Sequence, residues 1–246
     1  MAAAPDPTQA APGYDTHMRR PPGSVSRFDG ALPLTAVLVR HGVTPMTEAG
    51  AYSGSDVPGP ALSARGRGQA AEAADAVFRI GRDVRGLWPD VPQPSAVVAS
   101  PMVRTQETAA AVGRRLGLPV TQDEQFAECR FGDWEGLTAA QIEAGWPGEL
   151  HLWHSTGTFV PPRGESYAQV GARVWDGMQE LVSGGVGRTV VVVGHAAQIR
   201  TAVGQAMGAP ASHWSRIRIP PASLSVLRLW ADGASEVTTV GFPTDS

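Results

Sequence analysis

Four side chains stand out for the chemistry that their types and places allow: Arg40 and His41 side by side, Arg104, and His195 directly after Gly194. An imidazole acts near neutral pH as a nucleophile or a proton carrier, and a guanidinium offers a planar fork of donors that matches a phosphate. Such a set suits phosphoryl transfer. A phosphomonoester dianion repels anionic nucleophiles, so a neutral imidazole attacking in line, with cations around the equatorial oxygens, is what the chemistry asks for. A carboxyl group completes the set, because the leaving alkoxide needs a proton and an attacking water must lose one. Taken singly, each residue also has a plainer role. A histidine after a strand is commonly a hydrogen-bonded structural residue, and an arginine at a helix start commonly pairs with a surface carboxylate.

The elements that carry these residues favour the chemical reading. Residues 35–39 form a short apolar run typical of a strand buried on both faces, and it ends at Arg40-His41-Gly42. A second strand, residues 96–100, is closed by Pro101, and a helix over 103–116 ending at Gly117 carries Arg104 on its first turn. The strongest strand, Val190-Val191-Val192-Val193, runs into Gly194-His195 and a helix over 197–207. Between them, a helix over 62–80 has Ser63 as N-cap, and Tyr167, Val170, Val174, Met178 and Leu181 mark the buried stripe of an amphipathic helix. Two closing strands are expected at 224–229 and 236–240. Strands alternating with helices imply right-handed crossovers, a mostly parallel sheet covered on both faces, and a ligand site at the strand carboxyl ends. Both histidines sit at such ends.

Length and composition set the frame. A chain of 246 residues, 42% hydrophobic, is long enough for one substantial core. Its net charge of −3 and lack of any long basic run argue against nucleic acid as a partner. All 20 basic residues are arginine, which suggests GC-rich coding. The single Cys129 cannot form an intramolecular disulfide, the first 33 residues lack the apolar stretch of a signal peptide, and no run is long enough to span a bilayer. A cytoplasmic protein without a membrane partner is the expectation. Residues 1–33, rich in Ala, Pro and Gly, read as a flexible tail before one domain over 34–246. The strands over 224–240 offer a sheet edge at which a second copy could pair as a homodimer.

Leu38-Val39-Arg40-His41-Gly42-Val43-Thr44 closely resembles the signature of the histidine phosphatase superfamily, branch 1 of the phosphoglycerate mutase-like proteins. Three further segments match in order: Ser100-Pro101-Met102-Val103-Arg104-Thr105-Gln106-Glu107-Thr108-Ala109, then Glu128-Cys129-Arg130-Phe131-Gly132-Asp133-Trp134-Glu135-Gly136, then Val193-Gly194-His195. The resemblance spans residues 36–240 and implies a three-layer α/β/α fold with a mostly parallel central sheet. It also implies that His41 becomes a phosphohistidine, that Arg40 and Arg104 grip the phosphate with hydroxyls from Thr44 and Thr47, and that His195 donates as charge builds. Glu128 takes the family's acid/base position, although Asp133 and Glu135 are near enough in sequence to share or replace its role. The implied substrate is a small phosphorylated metabolite, and neither cofactor nor metal is called for. His151 and His154 could ligate a metal from one helix face, but no Cys or carboxylate is placed with them.

In this superfamily an insertion tends to cover the active site, and residues 130–165 are expected to be that lid. Trp134, His151, Trp153 and Glu165 are its candidate substrate-facing residues. Aromatic walls favour a ring such as a sugar or nucleoside; the alternative is that the tryptophans only cement the lid. The chain departs from the family at Val43, where Glu or Gln is common, at Thr47, often Asn, and at Ala196-Ala197, where Gly is usual. Two rival functions stay open: a mutase that returns the phosphoryl group to a second hydroxyl, and a non-catalytic phosphate-binding relative. The absence of lysine and the Phe-Gly-Asp-Trp-Glu-Gly segment point away from the mutase.

Overall fold

Two apolar strands fix the centre of the molecule. In the computed structural model, which describes residues 30–244, every residue of β4 (Thr189–Gly194) is buried, as are residues 34–39 of β1 (Leu34–Arg40). Strands with two apolar faces need cover on both, and four helices supply it. On one side α2 (Ala64–Phe78) and α3 (Val103–Leu116) pack Ala73, Val77, Ala109 and Val112 on Val37, Val39, Val191 and Val193. On the other, α6 (Tyr167–Ser183) and α7 (Ala196–Ala206) set Val170, Val174, Met178 and Ile199 against Leu38, Val190 and Val192. The result is the three-layer α/β/α arrangement.

With β2 (Pro94–Ala99), β3 (Val120–Gln122), β5 (Leu224–Leu229) and β6 (Ser235–Phe242), the sheet runs β3-β2-β4-β1-β5-β6. The first four strands are parallel, while β5 is antiparallel to β1 and β6 to β5, so the sheet is mixed with a parallel majority. This order places β1 between β4 and β5 and puts its carboxyl end beside that of β4. Arg40 pairs with Gly194, and the His41 N–H donates to the Gly194 carbonyl at 3.0 Å. β2 flanks β4 on its other side, so the Ser100 N–H reaches the Val193 carbonyl.

The compact unit that begins at Ala31 holds all of these elements. The tail expected over 1–33 falls, through residue 29, outside the described residues. The stretch between His41 and α2 contains a short helix, α1 (Pro45–Ala49), and the lid stretch contains α4 (Ala139–Gly145) and α5 (Glu149–Thr156). α4 starts at a reciprocal cap between Thr138 and Gln141, and α5 is bounded by left-handed glycines, Gly148 and Gly157. Among the described residues no helix is long and apolar enough to cross a membrane.

Candidate active site

His41 leaves the end of β1 with 5% of its surface exposed. Its Nδ1 lies 2.6 Å from the Gly42 carbonyl oxygen. A carbonyl only accepts, so Nδ1 carries the proton and Nε2 keeps its lone pair. Burial, reinforced by the charges of Arg104 and Arg40, holds this imidazole well below the usual histidine range. The ring is therefore neutral at physiological pH. Gly42 is required at its position because a Cβ there would stand 2.3 Å from the Gly66 carbonyl oxygen, where the loop crosses the start of α2.

His195 stands against His41, ring centroids 5.3 Å apart and edge to face, and is completely buried. Burial first, then Arg104 and the neighbouring His41 and Arg40, also keep it neutral. Its Nε2 lies 2.7 Å from the Ser100 hydroxyl, which accepts a weaker bond from the Met102 N–H at 3.4 Å. Its Nδ1 has no hydrogen-bond partner among the described residues.

Arg40 and Arg104 bring the cations. The Arg40 Nη1 donates to the Ile219 carbonyl at 2.7 Å, and its buried Nε is unpartnered. Burial, opposed by Glu128 and assisted by Arg200 and Arg104, lowers its pKa to about 10. The Arg104 Nη2 donates to the Ser53 and Gly54 carbonyls at 2.9 and 3.0 Å, and its buried Nη1 has no hydrogen-bond partner among the described residues. Gly59, at φ 75°, packs on that nitrogen; a Cβ there would approach it to 2.4 Å.

A cavity of about 310 Å³ opens over this group, lined by Arg40, His41 and Arg104 together with Glu128 and Thr47. Of the three carboxylates that sequence left open, Glu128 alone lines it; Glu135 accepts from the Gly54 N–H, and Asp133 pairs with exposed Arg163. Glu128 is seated on the amino end of α7: Oε1 accepts from the Cys129 and Gln198 N–H groups, and Oε2 from Ala197 at 3.3 Å. A brace holds its backbone. Arg173 donates to the carbonyls of Gln125, Ala127 and Glu128 while pairing with Glu165. Burial alone would raise the Glu165 pKa, but the hydrogen bond and charge of Arg173, with Arg130, bring it below the carboxylate norm.

Several expected site residues lie elsewhere. His195 is not among the lining residues but stands edge to face against His41, which is. Thr44 is fully buried, and its hydroxyl caps α1 by accepting from the Thr47 N–H at 3.1 Å. Among the expected lid residues Trp153 lines the cavity, and its Nε1 donates to the Glu165 carbonyl; Trp134 and Glu165 are buried outside the lining and His151 is exposed outside it. Trp134 stacks near Phe159 and meets Trp153 edge-on, so it cements the lid. Tyr52, Phe131, His154 and Arg200 also line the cavity. The His154 imidazole, 3.4 Å from the Tyr52 hydroxyl, is pushed down to about 4, mainly by burial and then by Arg200 and His151. Arg200 was legible in principle: Ala196, Ala197 and Arg200 share one face of α7 at helical spacing, and all three line the cavity.

Comparison with known proteins agrees with this geometry. Residues 36–240 match the histidine phosphatase superfamily (branch 1). A bifunctional protein of Mycobacterium tuberculosis is 37% identical over 209 residues, 85% of this chain and 54% of that protein, so the chain spans about half of this relative's length. Glucosyl-3-phosphoglycerate phosphatase of Mycobacterium tuberculosis is 34% identical over 187 residues, covering 72% of this chain and 77% of that enzyme. The solved structure of a mycobacterial glucosyl-3-phosphoglycerate phosphatase in complex with VO3 superposes with a TM-score of 0.74 at 30% identity, over 85% of this chain and 99% of the other.

Proposed function

The chain belongs to the histidine phosphatase superfamily, branch 1, and from that premise we propose that it is a phosphatase of a small phosphomonoester, acting through a phosphohistidine at His41. The observation that carries this reading is the grouping of a neutral His41, its Nε2 lone pair free, with unpartnered buried donors on Arg40, Arg104 and His195. Buried donors without partners are costly, and a phosphoryl group is the ligand whose oxygens would satisfy all three.

Nε2 of His41 attacks phosphorus in line, the ester P–O bond breaks, and the leaving oxygen takes its proton from the Glu128 carboxyl. Arg40 Nε, Arg104 Nη1 and His195 Nδ1 hold the equatorial oxygens as charge moves onto them. Glu128 then removes a proton from water, which attacks the phosphohistidine and frees both inorganic phosphate and the imidazole. Because Thr44 is committed to its cap, Thr47 is the hydroxyl on the cavity wall that reaches the phosphate.

Release of inorganic phosphate from a panel of phosphomonoesters, with EDTA present, tests this with wild type beside His41→Ala. Turnover by wild type and its near-complete loss in the variant are expected. No phosphate release from any ester would refute the phosphatase, and phosphoryl exchange between hydroxyls without release would establish a mutase in its place.

A further inference from the structure

Arg173 uses its guanidinium differently from Arg40 and Arg104. Nε donates to Glu165 Oε1 at 3.2 Å, Nη1 to the Gln125 and Ala127 carbonyls at 3.0 and 2.7 Å, and Nη2 to the Glu128 carbonyl at 2.8 Å and to Glu165 Oε2 at 3.1 Å. A guanidinium has five N–H donors, and these bonds use every one. Arg173 therefore has no donor left for a ligand, and it does not line the cavity. Glu165 is committed as fully. Its Oε2 also accepts from the Arg130 N–H at 2.9 Å, its own N–H donates to the Arg130 carbonyl at 2.8 Å, and its carbonyl accepts from Trp153 Nε1 and the Cys129 thiol.

What these bonds hold is the stretch that carries Glu128. Residues 127–131 lie between two short 3-10 helices and belong to no helix or strand, so their backbone groups need partners from elsewhere. The pair supplies them from α6, whose Val170, Val174 and Met178 pack on the sheet that ends in His41 and His195. The Glu128 carboxyl rests on N–H groups of α7 while its backbone is tied to α6, so two helices of one layer set its place relative to His41. The ion pair is largely buried. Such a pair adds little to stability over apolar packing of the same volume, which leaves position as the gain to look for.

We propose that Glu165 and Arg173 are positioning residues for the acid/base: the pair fixes the backbone around Glu128 so that its carboxyl meets the leaving oxygen, and it acts on turnover through Glu128 alone. The consequence in turnover rests on the phosphatase reading; the hold on the Glu128 backbone does not. Proton donation matters only as far as the leaving group needs it. A nitrophenolate departs as the anion and an alkoxide does not, and a misplacement of about 1 Å can cost about 100-fold. Loosening the pair therefore penalises alkyl esters and spares nitrophenyl esters, a selectivity that general loss of structure does not produce.

The test compares kcat/KM for benzyl phosphate and p-nitrophenyl phosphate, which are similar in size but differ in leaving group. Arg173→Gln is expected to lose on the order of 100-fold on the benzyl ester and little on the nitrophenyl ester. Glu165→Gln, nearly isosteric, shifts the ratio in the same direction, and Arg173→Lys recovers part of the loss. Glu128→Gln shifts the ratio most, and adding Arg173→Gln to it lowers the benzyl rate no further, as expected of residues that act as one unit. The Cys129 amide, which donates to Glu128 Oε1, exchanges its hydrogen faster in Arg173→Gln and Glu165→Gln whether or not the protein turns over. Equal losses on both esters in the two variants, or a loss that adds to that of Glu128→Gln, would make the pair merely structural and overturn the proposal. Phosphate release by wild type with an ester ratio unmoved by Glu128→Gln overturns it too, while the phosphatase stands. Absence of release from wild type refutes the phosphatase, and exchange at Cys129 then decides the pair: faster exchange in the variants upholds its hold on Glu128, and unchanged exchange overturns it.

Discussion

Ser100→Ala isolates the smallest part of the proposed machinery. The Ser100 hydroxyl sits 2.7 Å from His195 Nε2 and accepts only a weak bond from Met102. With its proton directed at Nε2, it makes that nitrogen an acceptor and leaves the His195 proton on Nδ1, the nitrogen unpartnered among the described residues. Alanine removes this bias, and the two neutral tautomers then compete. Loss of a group that orients a functional histidine typically costs about 10–100-fold, or about 1.4–2.7 kcal/mol of barrier. The hydrogen bond itself is worth about 1 kcal/mol to folding, so the variant should remain folded. Steady-state hydrolysis of p-nitrophenyl phosphate should show kcat down by about 10–100-fold, with the ring nitrogens of His195 shifting toward a mixed-tautomer pattern in 15N NMR. A kcat within twofold of wild type, with the tautomer unchanged, would refute the role given to Ser100.

Other consequences follow from the same geometry. Arg104→Lys keeps the charge but cannot bind the Ser53 and Gly54 carbonyls while presenting a second donor, so kcat/KM should fall by about 100-fold, measured by phosphate release. In NMR titrations of the free protein, His41 and His195 should stay neutral as the pH passes below about 6.5. Because the unfolded chain takes up protons there and the native sites do not, urea stability should be full above about pH 6.5 and decline as the pH falls toward the depressed native values. Ala222, at φ 58° and 2% exposed, donates its N–H to the Arg40 and His41 carbonyls. In thermal melts Ala222→Gly should stay within about 1 kcal/mol of wild type, whereas Ala222→Val should lose about 2 kcal/mol or more.

How much of this was legible depended on the length and neighbourhood of each element. α3 begins and ends where Pro101, Val103 and Gly117 place it, because proline and a left-handed glycine are local signals. The apolar runs of β1 and β4 reveal buried strands, and with them the placing of His41 and His195 at the carboxyl ends of two neighbouring central strands. By contrast β3 has three residues, and α4 and α5 span barely two turns each, too short for periodicity to register. Side-chain commitments are less visible still. Whether Thr44 faces a phosphate or caps a helix, and whether Trp134 or Trp153 reaches the cavity, depends on which tertiary neighbour claims the group first. Arg200 carried a helical-spacing signal, but only the cavity shows that its face of α7 looks onto the same space as His41.

The central claim is that His41 carries the phosphoryl group, and trapping that intermediate tests it most directly. Wild-type protein mixed with a 32P-labelled phosphomonoester and quenched within a turnover should carry acid-labile, base-stable label on the peptide containing His41, and His41→Asn should carry none. Turnover by wild type without any such label, together with persistent turnover by His41→Asn, would contradict the account.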